Sequence, residues 1–197
     1  MPRQTHPGLA REGWPFITAA AVAGVVAWFI NPEWSAPFVV LVIVFAMKFR
    51  DPSREVPPEP LGVVSPVDGI VELVETTQDP CLGRNAMRIR IRIARFGAYS
   101  ARAPVEGKLL DFKGQRGMRI QTDEKDDVIL ILNEAPAFAR PRALVGYGSR
   151  VGQGQRCAVV RMARIAEVYL PAGVRVQVKP GRRVLAGSEL LATLVHD

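Results

Sequence analysis

The sequence predicts an all-β domain, barrel- or sandwich-like, preceded by an N-terminal α-helical hairpin. Three observations predict it: two apolar runs near the start, a proline-rich break after them, and a long tract of short Val, Ile and Leu runs separated by Gly or Pro turns. With 197 residues, 48% of them hydrophobic, the chain has room for one cored domain and a short appendage.

Residues 1–13 read as a tail. The stretch PFITAAAVAGVVAWFI, residues 15–30, holds no charge, and PFVVLVIVFAMKF follows it at 37–49 after NPEWSA. Each run is shorter than the roughly 20 residues of a full membrane crossing. Together they predict a helical hairpin anchor over 14–49. Trp14, Trp28 and Trp34 mark its edges, where amphipathic rings favour the boundary between headgroups and acyl tails. Arg3, Arg11, Lys48, Arg50 and Arg54 lie outside the two ends and only Glu33 lies in the connection, which predicts both ends on the cytoplasmic side. A cleaved signal peptide fits poorly because a second apolar run follows at once. A buried hairpin of a soluble protein is the competing reading, and little of the remaining chain could cover it.

Residues 50–60, RDPSREVPPEP, carry four prolines in eleven positions and predict an extended linker. From 61 to 197 the runs LGVVSPVDGIVELVE, AMRIRIRIARF, VILIL, CAVVRMARIAEVYL, VRVQV and LLATLV predict the strands of the β-domain.

Charge is uneven along the chain. The net formal charge is +7, and residues 84–119 alone carry ten cations against two carboxylates. In MRIRIRIAR, residues 87–95, Arg88, Arg90 and Arg92 alternate with Ile89, Ile91 and Ile93. The two-residue period of a strand then puts the isoleucines on a packed face and the arginines on the other. Beside a membrane hairpin, that stripe predicts contact with an anionic phospholipid membrane, each basic residue near the headgroups contributing about 1 kcal/mol. The alternative is a solvated face whose arginine stems cover apolar neighbours. No aromatic residue is interleaved, so nucleic acid is not the expected partner.

Two cysteines, Cys81 and Cys157, make no disulfide framework. The histidines are His6 and His196, close to the two ends of the sequence, which disfavours a histidine base and a His-ligated metal site; no metal is expected.

Several separated motifs, in order along the chain, resemble the short bacterial phosphatidylserine decarboxylases. They are FRDPSREVPPEPLGVVSPVDGIV (49–71), RAPVEGKL (102–109), GSRVGQGQR (148–156), VYLP (168–171) and GRRVLAG (181–187). The resemblance spans essentially the whole chain, hairpin included. It implies the fold of that family and a location at the inner bacterial membrane. It also implies self-cleavage before a serine, which becomes a pyruvoyl group that draws off the electrons released with carbon dioxide.

The resemblance also implies a serine, histidine and aspartate for self-cleavage. Asp68 matches the aspartate of the S-P-x-D-G turn. Tyr99 stands in the place of the histidine, with Gly97 in that of its neighbouring aspartate. Ala163 and Arg164 stand in the places of the Gly-Ser step, and 162–166 hold no serine, threonine or cysteine. The family's E-R-N segment is lost too, the corresponding stretch reading DEKDDVILIL. Gly-Ser steps remain at 148–149 and 187–188, the first in an ordinary hairpin turn and the second only ten residues from the end. Arginine has no nucleophilic oxygen and does not deprotonate to act as a base.

The expectation is therefore a membrane-anchored relative, without a pyruvoyl cofactor, that binds or regulates at anionic membranes, alone, self-associated or with an active decarboxylase. The alternative is a decarboxylase that matures by an atypical route. Asp68 is either the retained triad member or a structural turn residue. Arg88, Arg90, Arg92, Arg102 and Arg164 are the expected lipid-binding cations, Arg164 pointing either into the vacated pocket, where its planar fork suits a phosphate or carboxylate, or into solvent. A carrier domain of the biotinyl kind would need a modifiable lysine at a hairpin tip, and beyond residue 125 the one lysine is Lys179, beside Pro180.

Overall fold

The computed structural model describes residues 8–59, 61–110 and 117–195. His6 and His196 lie outside the described residues. The chain divides into two compact units, Met1–Ser53 with Arg95–Tyr99, and Arg54–Ala94 with Ser100–Asp197.

In the first unit, α1 (Trp14–Ile30) and α2 (Ala36–Lys48) are joined by a 3-10 turn, Pro32–Ser35. Asn31 ends α1: its backbone is extended and its side chain accepts the Glu33 N–H at 3.0 Å, so that Pro32 can start the turn. Both helices are apolar on every face, with Val22, Val26, Phe29, Val40 and Ile43 all more than half exposed. The stretch Arg11–Ile30 has a mean hydropathy of 1.7 and the length of a membrane span. Phe16 stacks on Phe49 at 5.6 Å, and Phe45 completes the cluster. Gly13 is required here, since a Cβ would lie 2.5 Å from the Phe49 side chain. The hairpin ends close on each other through Ala10 N–H to the Phe49 carbonyl at 2.8 Å and Asp51 N–H to the Gly8 carbonyl at 3.0 Å.

The second unit is β throughout. Its strands are β1 (Gly62–Val64), β2 (Gly69–Gln78), β3 (Asn85–Ile93), β4 (Ser100–Arg102), β5 (Gly107–Leu110), β6 (Met118–Gln121) and β7 (Asp127–Asn133). They continue as β8 (Arg142–Ala143), β9 (Arg150–Val151), β10 (Arg156–Val159), β11 (Ile165–Pro171), β12 (Arg175–Val176), β13 (Arg183–Val184) and β14 (Leu190–Thr193). Eight form one antiparallel sheet in the order β13-β2-β3-β11-β7-β6-β5-β9, and two three-stranded sheets, β4-β10-β8 and β1-β14-β12, accompany it.

The alternation in β3 does what its period requires. Ile89 and Ile91 are fully buried, whereas Arg88, Arg90 and Arg92 face outward beside Glu75, Leu73 and Ile70 of β2. Each buried isoleucine contributes about 1.5–3 kcal/mol over an exposed one. Val128, Leu130 and Leu132 of β7 and Ala166, Val168 and Leu170 of β11 join the same core. Gly69 opens β2 where the strands are tightest, since a Cβ there would lie 2.1 Å from the Arg92 carbonyl oxygen.

Two expected runs are shorter than the sequence pattern. CAVVRMARIAEVYL is two strands, β10 and β11, parted at residues 160–164 by a turn in which Arg161 takes a φ of 51°. In VRVQV only Arg175 and Val176 join a ladder. The linker is likewise divided, because Arg54 onward belongs to the β unit.

Candidate functional site

Asp68 sits at the tip of the SPVDG turn and is 7% exposed. Ser65 shapes the approach, its hydroxyl donating to the Val67 carbonyl at 2.8 Å. The Asp68 carboxylate is gripped from two sides. Arg54 donates to both oxygens, one contact at 2.8 Å, and the Ala186 N–H donates at 2.7 Å. Arg54 also reaches the Ala186 carbonyl at 3.3 Å. A carboxylate held by a planar fork and an amide is a clamp between the linker, the turn and the strand-end segment at 186.

Arg164 is held by its backbone alone. Its N–H donates to the Asn133 carbonyl at 3.2 Å and its carbonyl accepts the Ile93 N–H at 2.8 Å, while Ala163 N–H closes the turn onto the Val160 carbonyl at 3.1 Å. Its side chain is exposed and has no ion-pair partner among the described residues. The next amide, Ala94 N–H, donates to the Asp68 carbonyl at 2.8 Å. The end of β3 thus binds the backbones of Asp68 and Arg164 through consecutive amides. Tyr99 belongs to the helical unit: its ring packs 5.0 Å from Phe49 and its N–H donates to the Arg50 carbonyl at 2.9 Å.

No nearby thiol replaces the absent hydroxyl. Cys157 is fully buried, its thiol donates to the Ala101 carbonyl at 3.5 Å, and burial pushes its pKa up to about 12. Gly148, with φ of 85°, belongs to an exposed turn. The Gly187–Ser188 step lies near the clamp, Gly187 N–H donating to the Ser65 carbonyl at 2.8 Å beside the Ala186 contact.

Residues 41–126 match the family model for phosphatidylserine decarboxylase. Along 96% of its length the chain is 35% identical to a phosphatidylserine decarboxylase proenzyme of Burkholderia ambifaria, covering 97% of that protein. The chain belongs to the phosphatidylserine decarboxylase family. A proenzyme of that name from Aromatoleum aromaticum is 34% identical over the same shares of both chains. Among solved structures, the glucose permease IIA from Mycoplasma capricolum aligns at a TM-score of 0.48 with 19% identity, over 67% of this chain and 94% of that one. Residues 160–168 hold no hydroxyl or thiol side chain, and Ala163 and Arg164 lie in the turn between β10 and β11.

The arginines expected to meet lipid divide into distinct groups. Arg88 pairs with Glu75 and, at 3.6 Å, with Glu167; Arg90 lies 3.6 Å from both Glu134 and Glu167 and 3.9 Å from Glu72; Arg92 pairs with Glu72. Glu167 is 6% exposed and also accepts from Asn133 Nδ2 at 2.9 Å and from the Tyr169 hydroxyl at 3.4 Å. Burial raises the pKa of that hydroxyl, which keeps it a donor. Three cations among four carboxylates do not make the cationic stripe that the β3 sequence suggests. Arg102 is 3% exposed and donates to the Gly154 carbonyl at 3.1 Å, so it is a core strut and not a surface cation. Arg164 alone of the five stands exposed without an acidic partner among the described residues.

Sequence reasoning missed Arg54, placed in a linker although it is the partner of Asp68. Fourteen residues separate the two, and no periodicity in the sequence links them. It also missed Arg140, Arg142 and Tyr147, at the mouth of a cavity of about 300 Å³.

Proposed function

We propose that this phosphatidylserine decarboxylase-family chain remains unprocessed and acts by binding or regulation at anionic membranes, anchored by α1 and α2 on the cytoplasmic face of the inner membrane. The observation that carries the reading is the Ala163–Arg164 turn. Both of its amides donate within the β-domain, and its side chains offer no atom able to attack the preceding carbonyl or become a keto-acyl group. The Arg54 clamp on Asp68 supports it, since a triad aspartate must orient a histidine and this one faces a guanidinium. In this role the chain works alone, self-associated or in a mixed assembly with an active relative. The experiment is a product assay: the full chain in bilayers containing phosphatidylserine forms no phosphatidylethanolamine above a protein-free control. Steady turnover overturns the reading.

The position of Gly187–Ser188 beside Asp68 favours a second reading, an atypical maturation that cuts before Ser188 and yields an active decarboxylase. Against it, the chain's two histidines are His6 and His196, which lie outside the described residues.

A further inference from the structure

The cavity of about 300 Å³ opens among β6, β7, β8 and β10. Its floor is apolar and buried: Met118, Leu130, Leu132 and Ala158 are all 8% exposed or less. Its mouth differs in kind, because Arg140, Arg142 and Tyr147 line it and all three are exposed. Neither arginine has a carboxylate within ion-pair reach among the described residues, although Arg88, Arg90, Arg92, Arg119, Arg150 and Arg182 all have one. The surroundings are unusually apolar for a cationic surface. Phe138, two residues before Arg140, is 81% exposed, Leu144 is 42% exposed and Met162 is 48% exposed. Because β8 pairs with β10 through Arg142 and Val159, the segment carrying Arg161, Met162 and Arg164 leaves β10 just beyond that pair.

An apolar floor, two guanidinium groups at the mouth with no carboxylate partner among the described residues, and protruding apolar side chains around them match an amphiphile with an anionic head. A guanidinium fork suits a phosphate in two-point contact, an exposed phenylalanine gains by entering the headgroup boundary, and a volume at the lower end of the roughly 300–1,000 Å³ of ligand sites suits one chain segment, not a whole lipid. We infer that this cavity takes one acyl chain of an anionic phospholipid from the bilayer, with Arg140 and Arg142 on its phosphate. The inference rests on the lipid-binding reading above and names its site: the membrane partner is met at the 138–164 surface, not at the β3 arginines.

The test uses the full chain in phosphatidylcholine nanodiscs doped with phosphatidic acid bearing a photoactivatable diazirine at the acyl terminus, the crosslinked peptides being mapped by mass spectrometry. Crosslinks are expected on the peptides of Met118, Leu130, Leu132 or Ala158. Arg140→Gln with Arg142→Gln lowers that yield about tenfold, the loss of one to two charge-assisted hydrogen bonds. The paired lysine variants restore part of it. Ala143→Trp, at an exposed position of the lining, blocks the crosslink by filling the mouth, and unchanged thermal unfolding of each variant confirms its fold. Inorganic phosphate in excess leaves the yield unchanged. The inference is overturned if crosslinks fall only on α1 and α2, if the phosphatidylcholine analogue labels the floor equally, if the Gln pair has no effect, or if free phosphate abolishes labelling. Phosphatidylethanolamine formation by a chain that labels as expected would remove the unprocessed reading and leave the cavity assignment standing.

Discussion

On β3, Arg88, Arg90 and Arg92 stand among Glu72, Glu75, Glu134 and Glu167; at the 138–164 surface, Arg140, Arg142, Arg161 and Arg164 have no acidic partner among the described residues. Both regions are arginine-rich in sequence, and the first has the more regular pattern. The difference lies in what the neighbouring strands bring. β2 and β11 set carboxylates opposite the β3 arginines, which turns a row of cations into a cross-strand network that stiffens the sheet. β8 and the turn after β10 bring apolar side chains and a cavity instead. A charge pattern read along one strand therefore states which face is polar and leaves open whether that face has a field.

The largest test of the clamped side of this comparison is at Asp68. Arg54→Ala or Asp68→Asn leaves the partner buried with its donors or acceptors unmatched. Either should lower unfolding free energy by about 3–5 kcal/mol in denaturant titration. A loss below about 1 kcal/mol would mean that the Arg54–Asp68 pair contributes no more than a surface ion pair.

Glu167→Gln comes next. It strips the anion shared by Arg88 and Arg90, so stability should fall by about 1–3 kcal/mol, and the face should gain salt-sensitive affinity for anionic vesicles that the parent lacks there. Unaltered vesicle binding would mean that the outer face is neutral for another reason.

Cys157 supplies a smaller effect with a defined pH dependence. Its thiol is raised from 9.0 to about 12 by burial, so the folded state holds its proton more tightly. That contribution to stability is complete below pH 9 and is lost as pH rises through 12. In the native protein a thiol reagent should modify Cys81, itself pushed up by burial and then by Asp79, and reach Cys157 only on unfolding. The smallest effect belongs to Arg92→Gln. Its side chain is 71% exposed, so stability should change by less than about 1 kcal/mol and affinity for anionic vesicles should not fall.

Much of this molecule is legible in its sequence because the legible parts are local. A two-residue alternation places Ile89 and Ile91 inside, an uncharged run makes α1, and the absence of any hydroxyl around position 164 needs no coordinates. What stays hidden depends on register between distant strands. Glu167 reaches Arg90 only because β11 lies beside β3, Arg54 reaches Asp68 across a proline-rich segment with no period, and the cavity needs four strands to enclose it. Arg102 shows the same limit from the other side, since its place in RAPVEGKL gives no hint that it is buried against Gly154 and Gly187.

The central claim is that no self-cleavage occurs at the Ala163–Arg164 turn. Intact mass of the purified full chain under denaturing conditions tests it most directly. One species at 21.6 kDa is the predicted result. Two fragments, the smaller blocked by a pyruvoyl group at its N-terminus, would contradict it.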